Sequence, residues 1–322
     1  MNPYIGHKSQ LYGIEEHRLV GGAGDGMRLL EIRNGKGLEM TIVLDRCADI
    51  SRLTFKGNNM SFFSPCGYVS PAYYRKNGNE WLRSFTAGFL TTCGLENVGP
   101  SCNDEGEELT LHGSIANLPA EQVLWYETDQ ELVVQAQIRD EVIFGRKLRL
   151  IRKICISLDE NKFSVQDTIQ NTDVERQPFE ILYHINMGYP LLDQDSVVEI
   201  PSIEVIPRDE HAAKDLANWK KMIKPEKGYQ ERCYYHKFAD GYGRASIYQP
   251  KSKQGLAIEF DAHNLDGFVE WKMMGMRDYA LGLECGNCYP EGRNVMRDTG
   301  MLKFLEAGEK ISYNVNFKVL EG

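Results

Sequence analysis

At 322 residues the chain can bury a sizeable hydrophobic core without disulfide or metal staples, and length alone leaves two ordinary domains or one large β domain open. With 42% hydrophobic and 26% charged residues it is not a disordered chain. A net charge of −9 is opposite in sign to the footprint of a nucleic-acid binder and disfavours docking on an anionic membrane.

No apolar run approaches the ~20 residues that a membrane helix needs. The stretch Met1-Asn2-Pro3-Tyr4-Ile5-Gly6-His7-Lys8 lacks the apolar segment of an export leader. The eight scattered cysteines then read as reduced thiols, and a cytoplasmic protein is expected.

In chain order, Gly21-Gly22-Ala23-Gly24-Asp25-Gly26 has the look of a phosphate loop, but a strand follows it where a dinucleotide fingerprint would open a helix, so it reads as a turn. Arg28 to Arg33 and Leu38 to Ile42 alternate around Asn34-Gly35, which predicts a hairpin with a type I′ turn. A short helical signal lies around Pro71–Arg83. From Leu132 to Ile169 apolar residues recur with period two, broken by the turn Asp159-Glu160-Asn161-Lys162, which predicts a meander of half-buried antiparallel strands. The mostly polar stretch 208–222 predicts a helical insertion on a loop. Strands are expected again over Arg244–Gln249, Gly255–Phe260, Tyr279–Glu284 and Lys310–Val319. There is no βα alternation, linker or repeat, so the reading is all-β: one large antiparallel sandwich over residues 1–322.

The chemistry-bearing residues stand inside these strands. No zincin, Walker or Gly-x-Ser-x-Gly motif occurs. Cys285-Gly286-Asn287-Cys288 has the spacing of a zinc or redox pair, yet no second such pair and no βαβ context accompanies it. His112 in Leu111-His112-Gly113 and His184 in Tyr183-His184-Ile185-Asn186 each stand in an apolar run, where a core histidine bonded to the backbone is the ordinary explanation. Glu284 ends the apolar run Tyr279-Ala280-Leu281-Gly282-Leu283, where a carboxylate is costly unless paired or used. Lys272, Arg293 and Arg297 are its candidate partners.

Taken together, five strings resemble the aldose 1-epimerase (galactose mutarotase-like) superfamily, in particular its uncharacterised bacterial aldose-epimerase-like branch. They are Val43-Leu44-Asp45-Arg46-Cys47-Ala48-Asp49-Ile50, the stretch from Phe89-Leu90-Thr91-Thr92-Cys93-Gly94 to Gly99, Leu111-His112-Gly113, Tyr183 to Pro190, and Gly282 to Cys288. Their order spans nearly the whole chain. The resemblance implies a galactose mutarotase-like β-supersandwich with a monosaccharide cleft. Glu284 is then the general base, His184 the general acid and His112 the second sugar-binding histidine. Arg83, in Glu80-Trp81-Leu82-Arg83, matches the family's substrate arginine loosely. Arg46, Asn186, Trp271, Lys272 and Asn287 complete the expected substrate-binding set, with Trp271 able to stack on a sugar face.

Two departures stand out. The better-known mutarotases carry Thr-His-Pro-Tyr-Phe-Asn around the acid, and two glycines after the second histidine, where this chain has Gly113-Ser114. The implied activity is a cofactor-independent sugar isomerase of the aldose 1-epimerase type: ring opening and closure by paired proton transfer needs no metal, cofactor or covalent intermediate. The alternative is a non-catalytic carbohydrate-binding or sugar-sensing protein that keeps the cleft. A third reading, a metal or redox protein using Cys285 and Cys288, predicts bound metal or a reactive disulfide. Neither the sugar nor the oligomeric state is legible from the sequence.

Overall fold

Alternation in the sequence becomes strands with one buried face. In Glu131–Glu141, Leu132, Val134, Ala136 and Ile138 are buried while Gln135, Gln137 and Arg139 turn outward. The structure, a computed structural model, describes residues 3–322, so Met1 and Asn2 of the N-terminal stretch lie outside the described residues.

Three antiparallel sheets carry the architecture. An eight-stranded sheet runs, in spatial order, Glu121–Glu127, Glu131–Glu141, Lys147–Ser157, Lys162–Asn171, Lys310–Glu321, Gln254–Asp261, Tyr242–Gln249 and Val197–Glu199. A second sheet runs Glu204–Pro207, Arg232–Lys237, Gly267–Met274, Tyr279–Gly286, Gln177–Met187 and Lys303–Leu305, with Leu90–Leu95 also paired to Gln177–Met187. A five-stranded N-terminal sheet begins with Gly13–Arg18 and ends with Asn58–Asn59. Buried side chains from all three, such as Leu30, Leu132, Ile181 and Phe317, join one apolar cluster. This is an all-β sandwich of antiparallel sheets. Among the described residues, no helix is long and apolar enough to cross a membrane.

Three local expectations are corrected. The hairpin between Arg28–Arg33 and Leu38–Val43 forms, but its left-handed residues are Gly35 (φ 75°) and Gly37 (φ 105°) rather than the pair Asn34-Gly35. Asn34 is buried, and its Oδ1 accepts from the backbone N–H of Lys36 (2.8 Å) and Leu38 (3.0 Å), so its side chain caps a longer loop. The stretch 208–222 is helical only over Glu210–Ala213, with a 3₁₀ turn at Leu216–Asn218. It has no long apolar face, and the backbone is held instead by Lys272 Nζ, which donates to the carbonyls of Asn218, Trp219 and Lys221. The region 71–83 likewise forms 3₁₀ turns, Pro71–Tyr73 and Glu80–Arg83.

A buried cation ties the sheets together. Arg152, from the eight-stranded sheet, donates to Asp49 of the N-terminal sheet (2.6 Å) and to Asp167 (2.7 and 2.9 Å). It also donates to the Cys47 carbonyl and to Thr92 Oγ1 of the second sheet. Tyr183, the neighbour of His184, donates its hydroxyl to Asp167 at 3.0 Å. Removing one member of such a cluster strands the remaining charges in the interior. Arg152→Met is therefore expected to lower stability by about 3–5 kcal/mol, read from the midpoint of urea unfolding; a change under about 1 kcal/mol would mean that the carboxylates find other partners.

Candidate functional site

The strand register of the second sheet lines up a patch of side chains on the face away from the main core. Tyr183 pairs with Cys285 and Asn186 with Gly282, so His184 stands directly across from Glu284. Glu284 pairs in turn with Val269, and Val269 with Tyr235. The adjacent row runs Asn186, Gly282, Trp271, Cys233, and the backbone N–H of Arg208 donates to the Cys233 carbonyl at 3.0 Å. Because side chains alternate along each strand, Tyr183, Leu283 and Cys285 point into the main core. His184 and Glu284 point the other way.

They face a cavity of about 420 Å³, within the range of roughly 300–1,000 Å³ usual for small-molecule sites. Its floor is the sheet patch, with His184, Glu284, Val269, Trp271, Cys233 and Arg208. Its walls come from turns and loops: Trp81 within the 3₁₀ turn Glu80–Arg83 and Phe85 after it, Leu111 and His112, and Pro290 with Glu291. Aromatic rings enclose the imidazole of His184, with centroids of Phe85 at 5.4 Å, Trp271 at 5.3 Å and His112 at 5.9 Å.

His184 Nδ1 lies 3.2 Å from Glu284 Oε1, yet neither atom has an aligned hydrogen bond. Both side chains are buried. Burial pushes Glu284 well above the ordinary carboxylate range, and the nearby Glu231 adds to this while Arg208 opposes it. Burial pushes His184 down to about 4, opposed by the Asn186 side chain and by the charge of Glu231, both of which favour the charged ring. Each group on its own thus resists charge, which disfavours an ion pair across their 3.2 Å contact.

Two glycines make room for this arrangement. A Cβ on Gly282 would stand 2.1 Å from Glu284 Oε1, so the carboxyl group occupies the space that a side chain would fill. Gly113 (φ 69°) lets the loop after His112 pass the Gly94 carbonyl, which would lie 2.2 Å from an added Cβ. His112 itself is left-handed (φ 54°) and is held by backbone bonds to Gly94 and Gly99. Its Nδ1 accepts from the Gly99 N–H at 3.3 Å, which leaves the proton of the neutral ring on Nε2. Burial and the neighbouring His184 keep that ring neutral, with its pKa down to about 3.

Of the nine residues expected at the site, the structure brings together His184, Glu284, His112 and Trp271 on this cavity. The other five stand apart from its lining. Arg83 lies on the adjoining 3₁₀ turn, but its side chain is 80% exposed and pairs with Glu80. Arg46 is buried elsewhere, donating to the Val69 carbonyl and to Asn117. Lys272, the strand neighbour of Trp271, points to the opposite face and spends its protons on three carbonyls. Asn287 accepts from the Ile181 N–H at 2.8 Å and bridges two strands. Asn186 sits beneath His184 and donates to its backbone carbonyl at 2.9 Å. Cys285 packs in the main core and Cys288 in a second cluster with Cys93 and Trp81. Among the described residues, no three His, Cys, Asp or Glu converge as metal ligands.

Sequence reasoning missed Arg208, Glu231, Trp81, Phe85 and Glu291, all of which line the cavity. Trp81 and Phe85 flank the arginine that was singled out instead. Arg208 opens the stretch 208–222 expected as a helical insertion, and Glu231 lies beyond it, just before the strand Arg232–Lys237, so no periodicity points to either.

A family model described as a domain of unknown function, DUF4432, matches residues 24–319. The chain belongs to that family. No curated protein matches it. Among solved structures, a "putative aldose 1-epimerase" from Klebsiella pneumoniae superposes with a TM-score of 0.90 at 24% identity, covering 98% of this chain and 86% of that one. A galactose mutarotase-like protein from Clostridium acetobutylicum gives 0.68 at 14% identity, covering 97% of this chain and all of that one. Galactose 1-epimerase from Lactobacillus acidophilus gives 0.64 at 14% identity, covering 97% and 99%. At these identities the likeness is one of fold.

The Gly282 contact yields a direct check. Gly282→Ala is expected to swing the Glu284 carboxyl away from His184, visible in a crystal structure and as a changed ¹⁵N signal of the His184 ring. An unchanged His184–Glu284 distance would show that the backbone, not the carboxyl, absorbs the added methyl group.

Proposed function

We propose that this chain is a cofactor-independent sugar isomerase of the aldose 1-epimerase type, with His184 and Glu284 as the acid–base pair. The observation that carries the reading is the 3.2 Å approach of an imidazole and a carboxyl, both buried and both on an aromatic-lined cavity of about 420 Å³. A purely structural pair would be expected to form an aligned hydrogen bond, and this one does not.

Anomer exchange needs one group to take a proton while another gives one. Glu284 takes the proton of the C1 hydroxyl, and His184 gives one to the ring oxygen. The electron pair of the bond between C1 and the ring oxygen goes to that oxygen, and the C1 hydroxyl oxygen becomes the aldehyde carbonyl. After rotation about C1–C2 the ring closes on the other carbonyl face, with the two proton transfers reversed. Nothing is oxidised or reduced, and no atom is gained or lost.

When the pair holds one proton, that proton can sit on either partner at the same net charge, and transfer across the 3.2 Å contact interconverts the two forms. His112 Nε2–H, Trp271 and the polar rim would hold the hydroxyls and the sugar face.

The same arithmetic predicts the pH profile. With two protons the pair has no base, and with none it has no acid. Activity is therefore expected to fall toward about pH 4 as His184 gains a proton, and to fall again at higher pH, well above the ordinary carboxylate range, as Glu284 loses its own.

Exchange NMR of the two anomers, over a panel of free, acidic and phosphorylated sugars, tests the assignment. An accepted sugar should exchange faster than in buffer. Glu284→Gln and His184→Asn should each slow that exchange by roughly 10²–10⁴-fold while the fold is kept. Full activity in both variants would overturn the roles. Binding of a sugar with no acceleration would favour the non-catalytic carbohydrate-binding reading.

A further inference from the structure

Arg208 is the one lysine or arginine among the described residues that lines the cavity. It follows the strand Glu204–Pro207, and its Nη2 lies 3.1 Å from Glu231 Oε1, with Asp209 more distant at 3.7 Å. The other oxygen of Glu231 accepts from Trp271 Nε1 at 2.7 Å. Trp271 pairs across the sheet with Gly282, the position over which the Glu284 carboxyl lies. A charged pair is thus pinned through an indole beside a buried carboxyl whose Oε1 receives no hydrogen bond.

We propose that Arg208 and Glu231 are positioning residues that form an electrostatic lever on Glu284, Arg208 favouring its carboxylate form and Glu231 opposing it. The other titratable groups around Glu284 leave this pair in control. His184 faces it from the strand Gln177–Met187, and His112 from the loop wall; burial keeps both neutral in the physiological range. Cys93 and Cys233 lie near it and Cys285 follows it in the chain, and burial raises all three thiols, so they too are uncharged. Glu291, at the cavity wall, is engaged by the hydroxyl of Tyr235. The opposing pushes of Glu231 and Arg208 on Glu284 agree with this geometry.

The lever makes sense of an otherwise awkward site. A carboxyl buried without hydrogen-bond donors is biased toward its protonated form. Arg208, on the same cavity, favours its ionised form, and Glu231, paired with Arg208, opposes that push. The proposal rests on the reading of Glu284 as half of an acid–base pair, but the titration of that carboxyl can be followed without any sugar.

The test is ¹³C NMR of protein labelled at the glutamate carboxyl carbons, with the Glu284 signal assigned by its loss in Glu284→Gln. Arg208→Gln should raise the Glu284 midpoint by on the order of one pH unit, and Glu231→Gln should lower it by a similar amount. Arg208→Lys, which keeps the charge, should stay near the parent value, so a general loss of structure would be recognised. The alkaline limb of the anomer-exchange profile should move in the same directions, with kcat affected more than KM. Midpoints that stay put, or that move the same way in the two charge-removing variants, would overturn the lever. Opposite shifts in a protein that exchanges no sugar would uphold the lever and refute the catalytic reading.

Discussion

The site depends on one constraint, the register of Gln177–Met187 against Tyr279–Gly286. Pairing of Tyr183 with Cys285 and of Asn186 with Gly282 puts His184 opposite Glu284 and sends both to the same face. A slip of one residue would turn His184 into the main core and bring a core side chain to the cavity. The register is held from the core side by Tyr183, Leu283 and Cys285, which are fully buried. It is held again by Tyr183's hydroxyl on Asp167, which belongs to the Arg152 cluster joining all three sheets. Stability on one face of the sheet therefore specifies chemistry on the other.

Burial does two things at this site. It disfavours the charged forms of His184, His112 and Glu284, and it makes any nearby charge count for more than it would in water. The aromatic enclosure of His184 by Phe85, His112 and Trp271 supplies that environment. The residues that could temper it, Arg208 and Glu231, come from the borders of short strands at the far side of the same sheet. The main sandwich fixes the pair, and the periphery sets its electrostatics.

Much of the fold was legible because period-two alternation is a strong signal when one face of a strand is buried; the meander from Leu132 to Ile169 is the clearest case. The Asn34 hairpin was legible in place but not in geometry, since a buried asparagine side chain took over the capping of its loop. Within the site, His184, Glu284 and His112 stood out as polar residues in apolar runs. The cations did not sort so easily. Arg46, Arg83 and Lys272 are each satisfied by local partners that sequence cannot reveal, while Arg208 carries no motif at all. Trp81 and Phe85 sit on an irregular loop, where side-chain direction has no period to follow.

The central claim is that His184 and Glu284 together span the anomeric centre of a bound sugar. A crystal structure of the protein with an accepted monosaccharide tests it most directly. The account predicts the sugar in the cavity between Trp81, His112 and Trp271, with the C1 hydroxyl and the ring oxygen each within hydrogen-bond distance of one member of the pair. A sugar seated with its anomeric carbon turned away from both groups, or bound on another face of the molecule, would contradict it.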